Sequence, residues 1–232
     1  MRLRRRCARS SACHGARVAE VKFCGLTRPA DAAFGSALGA AFVGAVFAGG
    51  PRRLTPPAAR ALFEAAASAG AARRVGVFGS QGVEEILAVA RETGLDVVQL
   101  HGASHSATVS ELRRNFGGEV WRVLRVSDAT RELDLPVAAE DVDAVVVDAF
   151  AEDQLGGTGV PIDWDSLAST LERSGRPPRL VLAGGLRPEN VRRAIELVAP
   201  DVVDVSSGVE SAPGIKDQTL MRAFAEAARG GR

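Results

Sequence analysis

The stretch RLVLAGGLRPENVRRAIELVAPDVVDVSSG (179–208) contains one complete β–α–β repeat. An apolar run ends on two glycines, a segment of helical length and composition follows, and a β-branched run, DVVDVSSG (201–208), completes the unit. Alternation of short β-branched runs with helical segments is typical of a parallel sheet, because parallel strands need a long crossover connection. This stretch therefore predicts an α/β fold with parallel strands.

The same repeat recurs along the rest of the chain. Eight β-branched runs are found, at 18–24, 42–48, 74–79, 96–102, 119–126, 143–150, 179–185 and 201–208. The helix candidates between and after them cover 29–40, 56–70, 83–94, 106–116, 188–198 and 217–229, and residues 127–142 give the weakest helix pattern. Eight repeats favour a single closed (β/α)8 TIM barrel over residues 19–232, although the repeat length would also fit an open doubly wound sheet.

Composition limits the possible partners and chemistry. The 232 residues are 46% hydrophobic and 25% charged, with a net charge of +1, which excludes the basic surface expected for binding nucleic acid or an anionic membrane. No segment offers the roughly 20 uninterrupted apolar residues of a membrane helix. Lys22 and Lys216 are the two lysines of the sequence, so a Schiff-base enzyme has few candidates. Cys7, Cys13 and Cys24 predict neither a disulfide framework nor a zinc site, and we expect a reducing cytoplasm and no metal.

Residues 1–18 differ from everything after them. They hold six arginines and no acidic residue. We expect a disordered extension or a start placed too far upstream, and the alternative is a transit peptide, which is also rich in Arg and Ser and poor in acids.

Polar residues occupy the ends of several predicted strands. Because TIM barrels carry their chemistry at the carboxyl ends of the strands, these residues are the first candidates for a functional site. They are Cys24 on the first run, Gln99 and His101 on the fourth, Asp148 on the sixth, and Asp204 and Ser206 on the eighth. Alternate residues of a strand share a face, so we expect these side chains to lie around one rim.

Small residues follow the last two runs. Gly184 and Gly185 end the seventh, and Ser206, Ser207 and Gly208 end the eighth. Barrels often bind phosphate on backbone amides between these two loops, and we therefore predict a phosphate site here. Any one of these glycines is equally compatible with an ordinary tight turn.

Two arginines, Arg52 and Arg53, follow the second run. A guanidinium at the barrel mouth can hold a carboxylate through two parallel hydrogen bonds, whereas a loop arginine can also be simply solvated.

Cys24 and Asp148 are the candidates for acid–base chemistry. A thiol can act as a base once its thiolate is stabilised, and a protonated aspartate can act as an acid. The residues alone leave the alternatives open, because a strand-end cysteine can be inert packing and a strand-end aspartate can cap its loop.

Taken in order, the strand-end motifs resemble those of the phosphoribosylanthranilate isomerase family of tryptophan biosynthesis. The resemblance runs from about Val21 to Ala228 and leaves the arginine-rich leader outside. The motifs that carry it are VKFCGLTRPADA (21–32), VGAVF (43–47), PRRLTP (51–56), VVQLHG (97–102), VVVDAF (145–150), GGTG (156–159), LAGGLRPENV (182–191) and VDVSSGVESAPGIKD (203–217).

The resemblance implies a barrel of the ribulose-phosphate-binding type that carries out an Amadori rearrangement on a small sugar-phosphate substrate without a cofactor. It implies that Asp148 is the general acid that opens the ribose ring and that Cys24 is the general base that removes the C2 proton. It further implies that Arg52 binds the anthranilate carboxylate and that Asp204, near Gln99 and His101, contacts the sugar hydroxyls. The phosphate is expected on amides around Gly184, Gly185, Ser206, Ser207 and Gly208.

Two departures from the family pattern concern binding. The sequence FAGGPRR (47–53) lacks the serine usually found before Pro-Arg, so Arg53 competes with Arg52 for the carboxylate, and no acidic residue directly follows QLHG (99–102). Three other activities remain as alternatives. An indole-glycerol-phosphate synthase would need more strand-end lysines, a dual-specificity sugar-phosphate isomerase would need aspartate in place of Cys24, and a sensor barrel would not need the acid–base pair. Both a monomer and a homodimer are compatible with the sequence.

Overall fold

The strands close into a parallel barrel. The computed structural model describes residues 18–101, 106–126, 141–149 and 163–230, and in it the eight strands pair in chain order, with the last returning to the first. They are β1 Glu20–Phe23, β2 Phe42–Val46, β3 Arg73–Phe78, β4 Val97–Leu100, β5 Glu119–Val126, β6 Ala144–Ala149, β7 Leu180–Leu182 and β8 Val202–Val205. The predicted TIM barrel is confirmed. The predicted extension over 1–18, the weak helix over 127–142 and the GGTG segment lie wholly or mostly outside the described residues.

Several strands are shorter than the apolar runs that predicted them. The run 179–185 forms only three residues of β7, because Gly184 and Gly185 have positive φ angles of 84° and 64° and turn the chain out of the sheet. The run 201–208 likewise ends β8 at Val205. The residues left over at these ends form the loops of the barrel mouth, by which we mean its carboxyl-terminal end.

The helices cover the outside of the barrel. They are α1 Pro29–Ala37, α2 Pro56–Ala69, α3 Val83–Thr93, α4 Ser106–Asn115, α5 Trp164–Ser174, α6 Val191–Val198 and α7 Gln218–Ala228. The helix α5 was not among the sequence candidates, although Asp163 marks its start by accepting hydrogen bonds from the amides of Asp165 and Ser166. Among the residues that the structure describes, no helix combines the length and apolar character needed to cross a membrane.

The core has two layers, one inside the barrel and one between the strands and the helices. Every second residue of a strand faces inwards, and these residues form the inner layer. They are Phe42, Val75, Val97, Trp121, Val123, Ala144, Val146, Val181, Ala183 and Val202. Outward-facing residues such as Phe23 pack on helices, in this case on Phe224 of α7 at a ring distance of 6.3 Å. By the same alternation, Gln99, Asp148 and Asp204 face inwards, because each lies two residues beyond a valine of the inner layer.

Aromatic and charged side chains fill the amino-terminal end of the barrel. The rings of Phe42 and Trp121 meet edge to face at 4.8 Å, and the guanidinium groups of Arg73 and Arg179 lie over Phe42. Glu119 accepts hydrogen bonds from Trp121 and from both arginines. The polar interior residues that remain lie towards the mouth.

A short hairpin after β8 was not predicted from the sequence. It consists of β9 Glu210–Ala212 and β10 Ile215–Lys216. The β1 loop holds it in place, because Thr27 Oγ1 donates to the carbonyl of Gly214 at 2.5 Å and the guanidinium of Arg28 donates to the carbonyl of Lys216 at 2.8 Å. The hairpin thereby returns the chain to the barrel mouth.

Candidate active site

A buried ion pair lies inside the barrel below the mouth. Lys22 and Asp204 are register partners on the adjacent strands β1 and β8, and Lys22 Nζ lies 2.7 Å from Asp204 Oδ2. Their side chains are 0% and 7% exposed. Burial alone would lower the pKa of Lys22, but Asp204 and the neighbouring Cys24 outweigh burial and raise it. Lys22 is therefore a fixed positive charge at this position.

Two buried acceptor oxygens belong to inward-facing side chains of β4 and β8. Asp204 Oδ1 and Gln99 Oε1 have no partner among the described residues. Burial raises the pKa of Asp204 and the charge of Asp148 adds to this, while the ammonium of Lys22 opposes both. Because an unmatched buried acceptor is costly, these atoms are suited to hydroxyl donors from a bound molecule.

Cys24 directly follows β1 and lies next to Lys22. Its amide donates to the carbonyl of Val205 at 2.9 Å, which continues the pairing of β1 with β8. A Cβ atom on Gly44 of β2 would lie 3.3 Å from Cys24 Sγ and 3.5 Å from Lys22 Cε, so the missing side chain provides the space for both groups. Burial raises the pKa of the Cys24 thiol, against the lowering effects of Lys22 and Lys216.

Asp148 and His101 form a second pair at the ends of β6 and β4. Asp148 Oδ2 lies 3.6 Å from His101 Nε2, and both side chains are partly exposed. The charge of Asp148 contributes to raising the pKa of Asp204, and the charge of Asp204 contributes to raising the pKa of Cys24, so Asp204 interacts electrostatically with both predicted acid–base residues.

Arg52 reaches the mouth and is bound there by Glu210 of the hairpin. Arg52 Nε donates to Glu210 Oε1 at 2.9 Å, and Arg52 Nη2 donates to Glu210 Oε2 at 2.6 Å. Lys216 Nζ donates to the same carboxylate at 2.8 Å. Burial would raise the pKa of Glu210, but these two cations lower it. The neighbouring Arg53 is exposed and lies beside the end of β2, so Arg52 is the arginine that adjoins the site.

Gly25 supports the stem of Arg52. Its φ angle is 64°, and a Cβ atom there would lie 2.5 Å from Arg52 Cδ and 2.8 Å from Ser206 Oγ. Lys216 Nζ also donates to the carbonyl of Ser206 at 3.0 Å. The β1 loop, Arg52, the hairpin and the β8 loop therefore form one contiguous cluster.

The loops after β7 and β8 touch through their backbones. A Cβ atom on Gly208 would lie 1.9 Å from the carbonyl oxygen of Leu186, so only glycine permits this approach. Asn190 supports the β7 loop by donating to the carbonyl of Gly185 and accepting from the amide of Arg187. Gly184 and Gly185 lie at this junction, and Ser207 begins a single 3-10 turn, Ser207–Val209. Such a junction can direct backbone amides towards an anion.

The predicted site residues occupy the barrel mouth and the interior just below it, but three residues of the site, Lys22, Glu210 and Lys216, were not among them. No local feature of the sequence indicated that Glu210 belongs to the site, because its partner Arg52 is 158 residues away. Lys216 could have been flagged, since it is one of only two lysines and follows a Pro-Gly turn. The chemical roles of all these residues remain predictions.

A cavity of about 710 Å³ lies at the opposite end of the barrel. Its lining includes Glu20, Arg179 and Asp201, at the amino-terminal ends of strands, and it contains none of the predicted site residues. Within the described ranges, no group of three or more His, Cys, Asp or Glu side chains could hold a metal ion.

Comparison with known proteins gives a consistent result. Residues 21–227 match the family described as N-(5'phosphoribosyl)anthranilate (PRA) isomerase. The N-(5'-phosphoribosyl)anthranilate isomerase of Rubrobacter xylanophilus is 42% identical over 213 residues, which cover 91% of this chain and 100% of the relative. A solved phosphoribosyl anthranilate isomerase from Thermotoga maritima is 35% identical, with a TM-score of 0.80 and coverage of 91% and 99%. A solved phosphoribosyl anthranilate isomerase in complex with reduced 1-(o-carboxyphenylamino)-1-deoxyribulose 5-phosphate is 34% identical, with a TM-score of 0.76 and the same coverage.

Proposed function

The chain belongs to the N-(5'-phosphoribosyl)anthranilate isomerase family, and on this premise we propose that it converts N-(5'-phosphoribosyl)anthranilate to 1-(2-carboxyphenylamino)-1-deoxyribulose 5-phosphate in tryptophan biosynthesis. One observation carries the proposal beyond family membership. The same barrel mouth combines a partly buried thiol next to Lys22, the carboxyl group of Asp148, the guanidinium of Arg52 and the glycine-rich junction of two loops. These are the groups that an aldose–ketose rearrangement of an anionic sugar phosphate requires.

Asp148 serves as the general acid in the first step. Its carboxyl proton passes to the ribose ring oxygen as the bond from that oxygen to C1 breaks, and the nitrogen lone pair forms a C1–N double bond. The product is an open-chain iminium ion with positive charge on nitrogen. The location of Asp148 at the end of β6, 3.6 Å from His101, is consistent with contact to a sugar bound in the mouth.

Cys24 serves as the general base in the second step. Its thiolate removes the proton from C2, and the released electron pair forms a C1–C2 double bond while the C1–N electrons return to nitrogen. The resulting enolamine tautomerises to the ketose. Because burial raises the pKa of the Cys24 thiol, the cations Lys22 and Lys216 are needed to stabilise its thiolate. Proton transfers account for the whole conversion, so no cofactor enters the proposal.

Binding contacts follow from the remaining groups. Arg52 binds the anthranilate carboxylate, and the unmatched oxygens of Asp204 and Gln99 accept hydrogen bonds from sugar hydroxyls. The phosphate binds the amides of Gly184, Gly185, Ser206, Ser207 and Gly208, where the β7 and β8 loops meet.

The test is turnover of purified protein, followed by the loss of substrate fluorescence as the anthranilate adduct reacts. We expect Cys24→Ser and Asp148→Asn each to lower kcat by about 100-fold or more, because each removes a proton-transfer group. A matched control is Asp143→Asn, which makes the same substitution at the amino-terminal end of the strand that carries Asp148, where Asp143 binds Arg113.

The control variant is expected to keep wild-type kcat, and circular dichroism should show that all variants are folded. Near-wild-type turnover in either Cys24→Ser or Asp148→Asn would refute the assigned role of that residue. A folded wild type that binds substrate without turnover would instead support a non-catalytic sensor.

A further inference from the structure

The hairpin carries two buried charged groups, of which the proposed reaction uses only Lys216, as one of the cations that stabilise the Cys24 thiolate. The side chain of Glu210 is 5% exposed and that of Lys216 is 0% exposed. Buried charges are costly unless they are paired, and here Glu210 satisfies Lys216 and Arg52 together. The pairing explains how these charges are tolerated, but not why the hairpin holds them beside Arg52.

The geometry of the guanidinium supplies a reason. An arginine side chain can present two different pairs of N–H donors to carboxylates, the Nε–Nη2 edge and the Nη1–Nη2 edge. Glu210 accepts from Nε and Nη2 of Arg52, at 2.9 and 2.6 Å. The Nη1–Nη2 edge is the one that Glu210 does not engage. A carboxylate fixed on one edge of the group therefore determines the direction in which the other edge points.

Lys216 connects this arrangement to the loop after β8. Its ammonium donates to Glu210 at 2.8 Å and to the carbonyl and hydroxyl oxygens of Ser206 at 3.0 and 3.4 Å. Arg52 and Ser206 also lie together over Gly25, where no side chain larger than hydrogen fits. The proposed carboxylate-binding and phosphate-binding groups are thus linked through the ion pair of Glu210, which binds Arg52, and Lys216, which binds Ser206.

We propose that Glu210, held by Lys216, is a positioning residue that orients the Nη1–Nη2 edge of Arg52 for the substrate carboxylate and fixes its distance from the phosphate loop. This inference rests on the proposed function, because it assigns Arg52 the same ligand. The formal charges of Arg52, Lys216 and Glu210 sum to +1, which would balance the −1 charge of one substrate carboxylate. Glu210 acts through Arg52 and does not itself touch the substrate.

Removing the charge of Glu210 distinguishes positioning from simple attraction. If only net charge mattered, Glu210→Gln would leave two cations near an anionic substrate and would lower KM. If positioning matters, the same variant raises KM, because Arg52 loses its second hydrogen bond and Lys216 repels it. The sign of the change in KM therefore decides between the two.

The experiment is a double-mutant cycle of Glu210→Gln and Arg52→Ala, with steady-state KM and kcat measured for all four proteins. We expect Glu210→Gln to raise KM by about 10-fold or more and to change kcat by less than about threefold, since a small displacement of a clamping arginine has effects of this size. In the Arg52→Ala background, we expect Glu210→Gln to change KM by less than about twofold, because a residue that acts through Arg52 has no effect without it. Glu210→Asp, which keeps the charge but shortens the side chain, should also raise KM.

Glu119→Gln is the matched control, because Glu119 also binds an arginine, Arg73 at 2.6 Å, but at the amino-terminal end of the barrel. It should leave KM unchanged. An unchanged or lowered KM in Glu210→Gln, or KM changes that simply multiply in the double variant, would overturn the positioning role.

Calorimetric titration with reduced 1-(2-carboxyphenylamino)-1-deoxyribulose 5-phosphate repeats the cycle without turnover. If the wild type does not turn over, the proposed function fails, and coupled binding losses in the titration would still support the positioning role. If the wild type neither turns over nor binds this compound, both proposals are refuted.

Discussion

Replacement of Lys22 by methionine is expected to make the stability of the barrel depend on pH. Methionine has a similar length but removes the ammonium that lies 2.7 Å from Asp204. The carboxylate would then be buried without its paired ammonium, and none of the described residues donates a hydrogen bond to Oδ1. Loss of one partner from a buried ion pair typically costs about 3–5 kcal/mol, because the remaining charge is uncompensated.

The loss is limited by protonation of Asp204. An isolated carboxyl group has an ordinary pKa of 3.8, so holding it protonated at pH 7 costs about 4 kcal/mol, and at pH 5 only about 1.5 kcal/mol. In the variant, the folded state keeps a proton that the unfolded chain releases above that pKa, so the free energy of unfolding falls as pH rises. We therefore expect Lys22→Met to lose about 3–4 kcal/mol relative to wild type at pH 7, and about 1–2 kcal/mol at pH 5.

Urea unfolding followed by tryptophan fluorescence measures these values, because Trp121 is fully buried in the barrel. The control is the double variant Lys22→Met/Asp204→Asn, which lacks the carboxyl group. Its stability difference from wild type should change much less between pH 5 and pH 7. Equal losses at both pH values in the single variant would refute the explanation that the uncompensated carboxylate of Asp204 is the cause.

Two further predictions concern the proposed reaction. Arg52→Ala should raise KM by about 10-fold or more and Arg53→Ala by less than about threefold, since a partly buried bidentate arginine contributes far more than an exposed one. Steady-state kinetics on both variants measures this, and the reverse order would show that Arg53 binds the carboxylate. Because burial raises the pKa of the Cys24 thiol, kcat/KM should increase with pH through neutrality as the thiolate forms. The variant Cys24→Asp should move this rise to lower pH. A wild-type profile that is flat from pH 6 to pH 9 would exclude Cys24 as the base.

Much of the barrel could be predicted from the sequence, because its signals are local. Each strand is a β-branched run, and alternation along it determines which residues face inwards. Thus Asp148 and Asp204 could be predicted to point into the barrel from the valines two positions earlier, which do belong to the inner layer. The lengths of β7 and β8 could not be predicted in the same way. These strands end at glycines with positive φ and at small residues, and the alternation of apolar and polar residues does not show where such residues turn the chain.

Long-range partners were the part that the sequence could not supply. Asp204 was placed on an inward face, but its pairing with Lys22 depends on the register with which β8 closes onto β1, across 182 residues. The contact between Arg52 and Glu210 depends on the hairpin, whose strands are only three and two residues long. Strands this short carry too little alternation to be recognised, so the residues they bring to the mouth were missed.

The charges around Cys24 favour a fixed order for the proposed proton transfers. Lys22 and Lys216 face the thiol, but Asp204 and Glu210 bind these cations and offset them, and the net effect is that burial keeps the thiol pKa raised. In the free protein, burial therefore favours the neutral form of the thiol. In the proposed reaction, ring opening by the acid places a positive iminium group at C1, adjacent to C2. This charge both acidifies the C2–H bond and stabilises a nearby thiolate. In the proposed mechanism, the base becomes effective only after the acid has acted, so a substrate with a closed ring is not exposed to a strong base.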